Sequence, residues 1–176
     1  MKLPSILWVG PMLGKNPGWV TTQGEILADL FAREGYGSLI TSSITARFPR
    51  LADTLYSIFT WRRQYDLAVL NVFSGPAFWI TELSSRLLKQ LGKPMIMVLR
   101  GGNLPEYAQV HPAFVTKTLK RANQVVAPSA YLVRFAHSQG VKASVIPNVL
   151  DLENYPFRLR EICQPNLLWM RTFHPI

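Results

Sequence analysis

Short, continuously apolar runs alternate along this chain with longer stretches in which apolar positions recur at helical spacing. Ile6 to Val9 is the first such run and reads as a buried strand. Val20 to Arg33 reads as a helix with Ile26, Leu27, Leu30 and Phe31 on one face, stopped by Gly35 and Gly37. Ser38 to Thr41 is a short second strand. Pro49 to Arg63 is a second helix, with Leu51, Leu55, Ile58 and Phe59 as its apolar stripe. Leu67 to Asn71 is a third strand and Pro76 to Leu91 a third helix, with Ile80, Leu83, Leu87 and Leu91 in register. Met95 to Leu99 is a fourth strand, followed by an irregular stretch from Gly101 to Pro112. Ala113 to Ala122 reads as a helix, Gln124 to Ala127 as a strand, Ser129 to Gln139 as a helix with Ser129 capping it, and Ala143 to Ile146 as a sixth strand. Alternation of this kind, with strands apolar at every position, predicts an α/β fold built on a doubly wound parallel sheet covered on both faces.

The two ends need separate readings. At the N-terminus one Lys precedes a short apolar run, but Pro4, Gly10 and Pro11 interrupt it and no small-x-small cleavage site follows closely, so a first strand fits better than a signal peptide. No apolar run approaches the roughly 18 residues of a spanning helix. Near the C-terminus, Pro147 to Pro165 reads as a linker, and Leu167-Leu168-Trp169-Met170 as one more strand. The residues alone leave two origins for that strand: an edge strand of the same sheet, or the first strand of another domain.

Composition narrows the picture. Of 176 residues, 48% are hydrophobic and 16% charged, which excludes global disorder. Nineteen Lys and Arg against ten Asp and Glu give a formal net charge of +9, which favours anionic partners. The one cysteine, Cys163, cannot form an internal disulfide and fits a reducing compartment. His111, His137 and His174 share no metal-ligand spacing, and no nucleophile paired with a base is visible.

Unusual residues concentrate after the strands, where doubly wound sheets bind ligands. After the first strand, Gly10, Gly14 and Gly18 permit close backbone approach, Lys15 adds charge, and a helix N-terminus follows. Gly-x-Gly-x-x-Gly is absent, the second strand ends in Thr41-Ser42-Ser43 without an acidic residue, and no Gly-Lys-Ser/Thr follows the glycines. Dinucleotide and P-loop readings therefore lose support. After the fourth strand comes Arg100-Gly101-Gly102-Asn103-Leu104-Pro105-Glu106, with Arg100 able to fork onto a phosphate and Glu106 the carboxylate nearest the Gly-rich turns. Asn71-Val72-Phe73-Ser74-Gly75-Pro76 reads mainly as a loop and cap, with ligand contact as the alternative. Basic residues cluster at Arg47 to Arg50, at Arg62-Arg63, at Arg86 to Lys93 and at Lys117 to Arg121, with Phe48, Tyr56, Phe59 and Trp61 among them. The second helix could therefore meet an anionic bilayer, or simply bury one face and solvate its charges.

Together these residues resemble the N-terminal, Rossmann-like domain of GT-B glycosyltransferases of the family 4 type. The resemblance rests on the Gly10 to Gly18 loop, on Gly101 to Glu106, on Ala127-Pro128-Ser129, and on Ile146-Pro147-Asn148 with Asp151. It implies residues 1–147 as the acceptor-side domain, 148–165 as the interdomain linker, and 166–176 as the start of a truncated donor-binding domain. It implies transfer of a sugar from a nucleotide-sugar to a glycan or lipid-linked acceptor, without a metal or other cofactor, by a chain inactive alone. The residues it marks for donor or acceptor binding are Gly14, Lys15, Gly18, Arg100, Gly101, Gly102, Asn103 and Asn148, with Arg100 and Glu106 as catalytic candidates. Many members carry histidine at the position of Arg100. The expected setting is cytoplasmic, peripheral at the inner membrane face, with a missing domain or partner chain supplying the donor site. The alternative is a non-catalytic subunit that recruits the other half of a two-chain transferase to a membrane. Nucleic acid is not an expected partner, since only the net charge points to it.

Overall fold

The apolar runs pair into one sheet. The computed structural model of the protein describes residues 3–150 and residue 159. Its strands are β1 (Ser5–Val9), β2 (Gly37–Ile40), β3 (Leu67–Val72), β4 (Met95–Leu99), β5 (Gln124–Ala127) and β6 (Ala143–Val145). They lie in the order β2-β1-β3-β4-β5-β6, and every neighbouring pair is parallel. The winding reverses between β1 and β3, which opens a crevice at the carboxyl ends of those strands.

The connecting helices are α1 (Gln23–Arg33), α2 (Arg47–Thr60), α3 (Phe78–Gln90), α4 (Leu104–Val110), α5 (Pro112–Leu119) and α6 (Ala130–Ser138), with a single 3-10 turn at Gly75–Ala77 ahead of α3. Strand residues alternate between two apolar layers, which is why the central strands are apolar at nearly every position. Leu7, Leu70, Met97 and Val125 pack with side chains of α2 to α6. Ile6, Trp8, Val69 and Val98 pack on the opposite face with Ala28 of α1.

Helix boundaries differ from the sequence expectation for local reasons. α1 starts at Gln23, not Val20, because Thr22 and Glu25 form a reciprocal capping box. α2 spans Arg47–Thr60 and ends before Arg62-Arg63; Pro49 falls in its first turn, where no backbone N–H is required. The stretch from Gly101 to Pro112, expected to be irregular, contains α4. That helix is one of seven residues with proline in its first turn, too short to show a helical period. α5 is correspondingly Pro112–Leu119. Ser129 caps α6 as expected, its hydroxyl accepting from the Leu132 N–H. Asp151, Cys163, His174 and the strand expected from Asn166 lie outside the described residues, as does most of the expected linker.

α3 carries a buried polar cluster that the hydrophobic register conceals. Thr81, Glu82, Ser84 and Ser85 are all buried. The Glu82 carboxylate accepts from Arg121 and from the Thr118 hydroxyl, both on or beside α5, and from Arg86 Nε at 2.5 Å. Burial pushes the Glu82 carboxyl up. The hydrogen bonds from Arg121 and Thr118, the Arg121 charge and the Arg86 hydrogen bond outweigh it and hold the group below the usual glutamate range. This ion pair ties α3 to the segment leading into β5.

Candidate functional site

Arg100 stands directly after β4 and continues its ladder, donating its main-chain N–H to the Val72 carbonyl at 2.8 Å. The side chain turns into the crevice beside β3. Its Nε donates to Asn71 Oδ1 at 3.1 Å, and one terminal nitrogen donates to Asn148 Oδ1 at 2.5 Å. Asn71 is the polar interruption of an otherwise apolar strand. Its amide also donates to the Val9 carbonyl at 3.4 Å, so one buried side chain links β1, β3 and Arg100. Arg100 is 9% exposed, and burial lowers its pKa from the ordinary arginine value. Guanidinium keeps its proton even so. Among the described residues no carboxylate pairs with it: the ion pairs join Asp29 to Arg33, and Glu82 to Arg86 and Arg121.

A cavity of about 320 Å³ opens here, lined by Pro11, Val20 to Gly24, Asn71, Phe73, Arg100, Gly101 and Asn148. The first turn of α1 forms one wall, so the positive end of a helix dipole and the Arg100 charge act on the same space. The approach of α1 depends on Gly24. A Cβ there would lie 2.6 Å from Asn71 Nδ2 and 3.1 Å from Met12 Cε. Gly24→Ala gains about 0.5–1 kcal/mol of helix propensity but overpacks a buried contact at about 1–3 kcal/mol. The clash wins: a net destabilisation of about 1–2 kcal/mol is expected in urea unfolding, together with weaker ligand binding, because Asn71 must release Val9 or Arg100.

The loop before α1 is folded back by Glu25. Its carboxylate accepts from the Gly14 N–H at 2.9 Å and the Thr22 N–H at 2.7 Å. The Gly14 amide is thus engaged within the protein, Lys15 is exposed, and Gly18 is exposed at φ +80°. None of these three lines the cavity. Of the residues singled out in the sequence, Arg100, Gly101 and Asn148 come together there. Gly102 and Asn103 sit on the exposed turn beyond, and Glu106 is exposed in the first turn of α4, 3.5 Å from the Tyr131 hydroxyl. Asn148 is held in place through its neighbour. The Val149 N–H donates to Gln23 Oε1 at 3.0 Å, and Gln23 Nε2 donates to the Val149 carbonyl at 3.2 Å.

Gln23 and Gly24 are not singled out by the sequence, and Asn71 enters it only within a stretch that reads mainly as a loop and cap, with ligand contact as the alternative. A signal existed for Asn71, a polar residue within an apolar strand, and for the cap, in Thr22-x-x-Glu25. Among the described residues no group of three or more His, Cys, Asp and Glu is arranged to hold a metal ion, and no helix is long and apolar enough to cross a membrane.

No protein-family model matches the sequence, and no curated protein matches it. The functional reading therefore rests on the residues themselves.

Proposed function

We propose that this chain is the acceptor-side domain of a GT-B glycosyltransferase of the family 4 type. One observation carries the reading: a buried Arg100, with no carboxylate partner among the described residues, faces a cavity at the switch point of the sheet, beside a helix N-terminus. In sugar transfer the acceptor oxygen bonds to the anomeric carbon, the bond from that carbon to the diphosphate breaks, and the acceptor proton is lost. Negative charge accumulates on the departing diphosphate. Arg100 is a fixed positive group that stabilises such charge without reorganising, and Gln23 and Gly24 of the first turn of α1 line the same space. Gly101 and Asn148 line the same space and fit sugar or phosphate oxygens as hydrogen-bonding partners.

The donor nucleotide belongs, on this reading, to a second domain. The purified 176-residue chain is expected to bind anions at Arg100 but to turn over little or no nucleotide-sugar. The test is to sequence the source DNA through and beyond the Ile176 codon. A frame that continues for a domain of about 100–200 residues with a Glu-x7-Glu donor motif supports the reading. So does a neighbouring gene encoding that domain. A stop with neither, or robust turnover by the chain alone, contradicts it.

One observation favours recruitment to a membrane as a second reading. α2 buries Ile58 but leaves Phe48 85%, Tyr56 70% and Phe59 51% exposed, next to Arg47, Arg62 and Arg63. The Arg62 guanidinium lies 4.4 Å from the Phe59 ring centroid. An aromatic face with basic flanks suits the surface of an anionic bilayer. At about 1 kcal/mol per basic residue near the surface, reversing two charges with Arg62→Glu and Arg63→Glu is expected to lower sedimentation with anionic vesicles by at least about tenfold. Unchanged sedimentation removes α2 from the membrane contact.

A further inference from the structure

A second, larger space adjoins the Arg100 cavity. It is a groove of about 900 Å³ between the loop before α1, the first turns of α2, and the start of α3. That volume is at the upper end of small-ligand sites. Its walls are Trp19, Val20, Phe48, Leu51, Trp79 and Ile80. Four of these are large apolar side chains held substantially in water: Trp19 is 51%, Val20 84%, Phe48 85% and Trp79 51% exposed. Convergence of such residues on one groove marks a binding surface rather than scattered surface apolarity.

The groove also carries charge without its counterpart. Arg47 and Arg50 both line it, and no lining residue is acidic. Arg50 is 8% exposed, and among the described residues its Nη1 donates to the Ile44 and Thr45 carbonyls, at 3.0 and 2.9 Å. Its Nε is buried with no partner among the described residues. Burial, and then the Arg47 charge, pull the Arg50 pKa below its ordinary value. Among the described residues, then, a buried cation stands next to a second one, with apolar walls and no acid to pair with it.

We propose that this groove binds a single-chain amphiphile with an anionic head group, its hydrocarbon chain against Trp19, Phe48 and Trp79 and its head group at Arg47 and Arg50. The head group is a phosphate or a carboxylate, the shared chemistry being an anion at the end of an alkyl or isoprenyl chain. The two spaces share Pro11, Val20, Thr22 and Phe73 as walls, so a ligand in the groove lies beside the Arg100 cavity. Naming that amphiphile as the sugar acceptor rests on the transferase reading; its binding does not.

Calorimetric titration of the whole chain, below micelle concentrations, tests this with farnesyl phosphate, myristate, uncharged farnesol and inorganic phosphate. At least one of the two anionic amphiphiles is expected to saturate the protein, and which one binds identifies the head group. Farnesol is expected to bind at least about tenfold more weakly, and inorganic phosphate not to displace the bound amphiphile from the groove. Phe48→Ser and Trp79→Ala alter exposed walls, so folding is checked by an unchanged melting curve, and each is expected to weaken binding about tenfold. Arg47→Gln is expected to weaken the anionic ligand while leaving farnesol unaffected. Equal affinity for farnesol and farnesyl phosphate, no saturable binding of either anion, or indifference to both Phe48→Ser and Trp79→Ala overturns the assignment. Because no sugar transfer is read, failure here leaves the Arg100 cavity and its reading standing.

Discussion

Arg100→Met is expected to weaken binding of pyrophosphate or a nucleoside diphosphate by about 10- to 100-fold, with only a small change in stability. The affinity loss follows from charge-assisted hydrogen bonds worth about 1.5–3 kcal/mol in a desolvated cavity. The stability side is a balance. Removing a buried charge that has no carboxylate partner among the described residues, and replacing it with an apolar chain of similar volume, is favourable or neutral. Against this, Asn71 Oδ1 and Asn148 Oδ1 lose their donor. The near-cancellation distinguishes a ligand-binding arginine from a structural one, whose loss lowers the melting temperature. Arg100→Lys is not expected to restore affinity. Lysine keeps the charge, but one ammonium cannot reproduce the Nε contact to Asn71 and the terminal contact to Asn148 while a further fork edge meets a ligand. Calorimetry with the three proteins, paired with thermal melts, checks both halves.

Glu82→Gln is the substitution with the largest expected effect on stability. Glu82 is 1% exposed, and the Arg121 side chain opposite it is 10% exposed. Glutamine keeps the volume, removes the charge and presents donors to a guanidinium that has only donors. Breaking one side of a buried pair costs about 3–5 kcal/mol, which for a domain of this size lowers the melting temperature by roughly 6–20 °C. Arg86→Ala is the control, because the Arg86 side chain is 54% exposed and the loss should stay within about 1 kcal/mol. The pH dependence has a definite sign. The folded-state pKa of Glu82 is depressed, so its contribution is complete above the unfolded value of about 4.3 and fades as pH falls through the lower folded value. Wild type and Glu82→Gln should therefore differ fully at neutral pH and converge on acidification. A constant gap across that range contradicts the ion-pair account.

The central strands are legible because burial on two faces makes nearly every position in them apolar. Met95–Leu99 and Gln124–Ala127 match their sequence reading residue for residue. The ends of α1 and α2 were not, because Val20 continues the apolar pattern while the start of α1 is set by the Thr22–Glu25 cap, and because Pro49 reads as a start signal although it sits inside the first turn of α2. α4 was missed since a helix this short has no period to detect. At the site, Arg100, Gly101 and Asn148 could be singled out because they follow strands beside glycine or proline. Their partner Asn71 was read as part of a loop-and-cap stretch, and its role depends on β1 and β4 flanking β3. Glu82 and Arg121 are 39 residues apart, and their pairing is a consequence of α3 meeting the end of α5. No local pattern encodes that.

The most direct measurement is an NMR titration of the ¹⁵N-labelled chain with pyrophosphate, the anion Arg100 is expected to hold, reading the Gly24 and Gly101 amides and the Arg100 Nε–H. The account expects saturable shifts at these three groups, absent in Arg100→Met. Shifts confined to other parts of the molecule, or none with pyrophosphate at millimolar concentration, would contradict it.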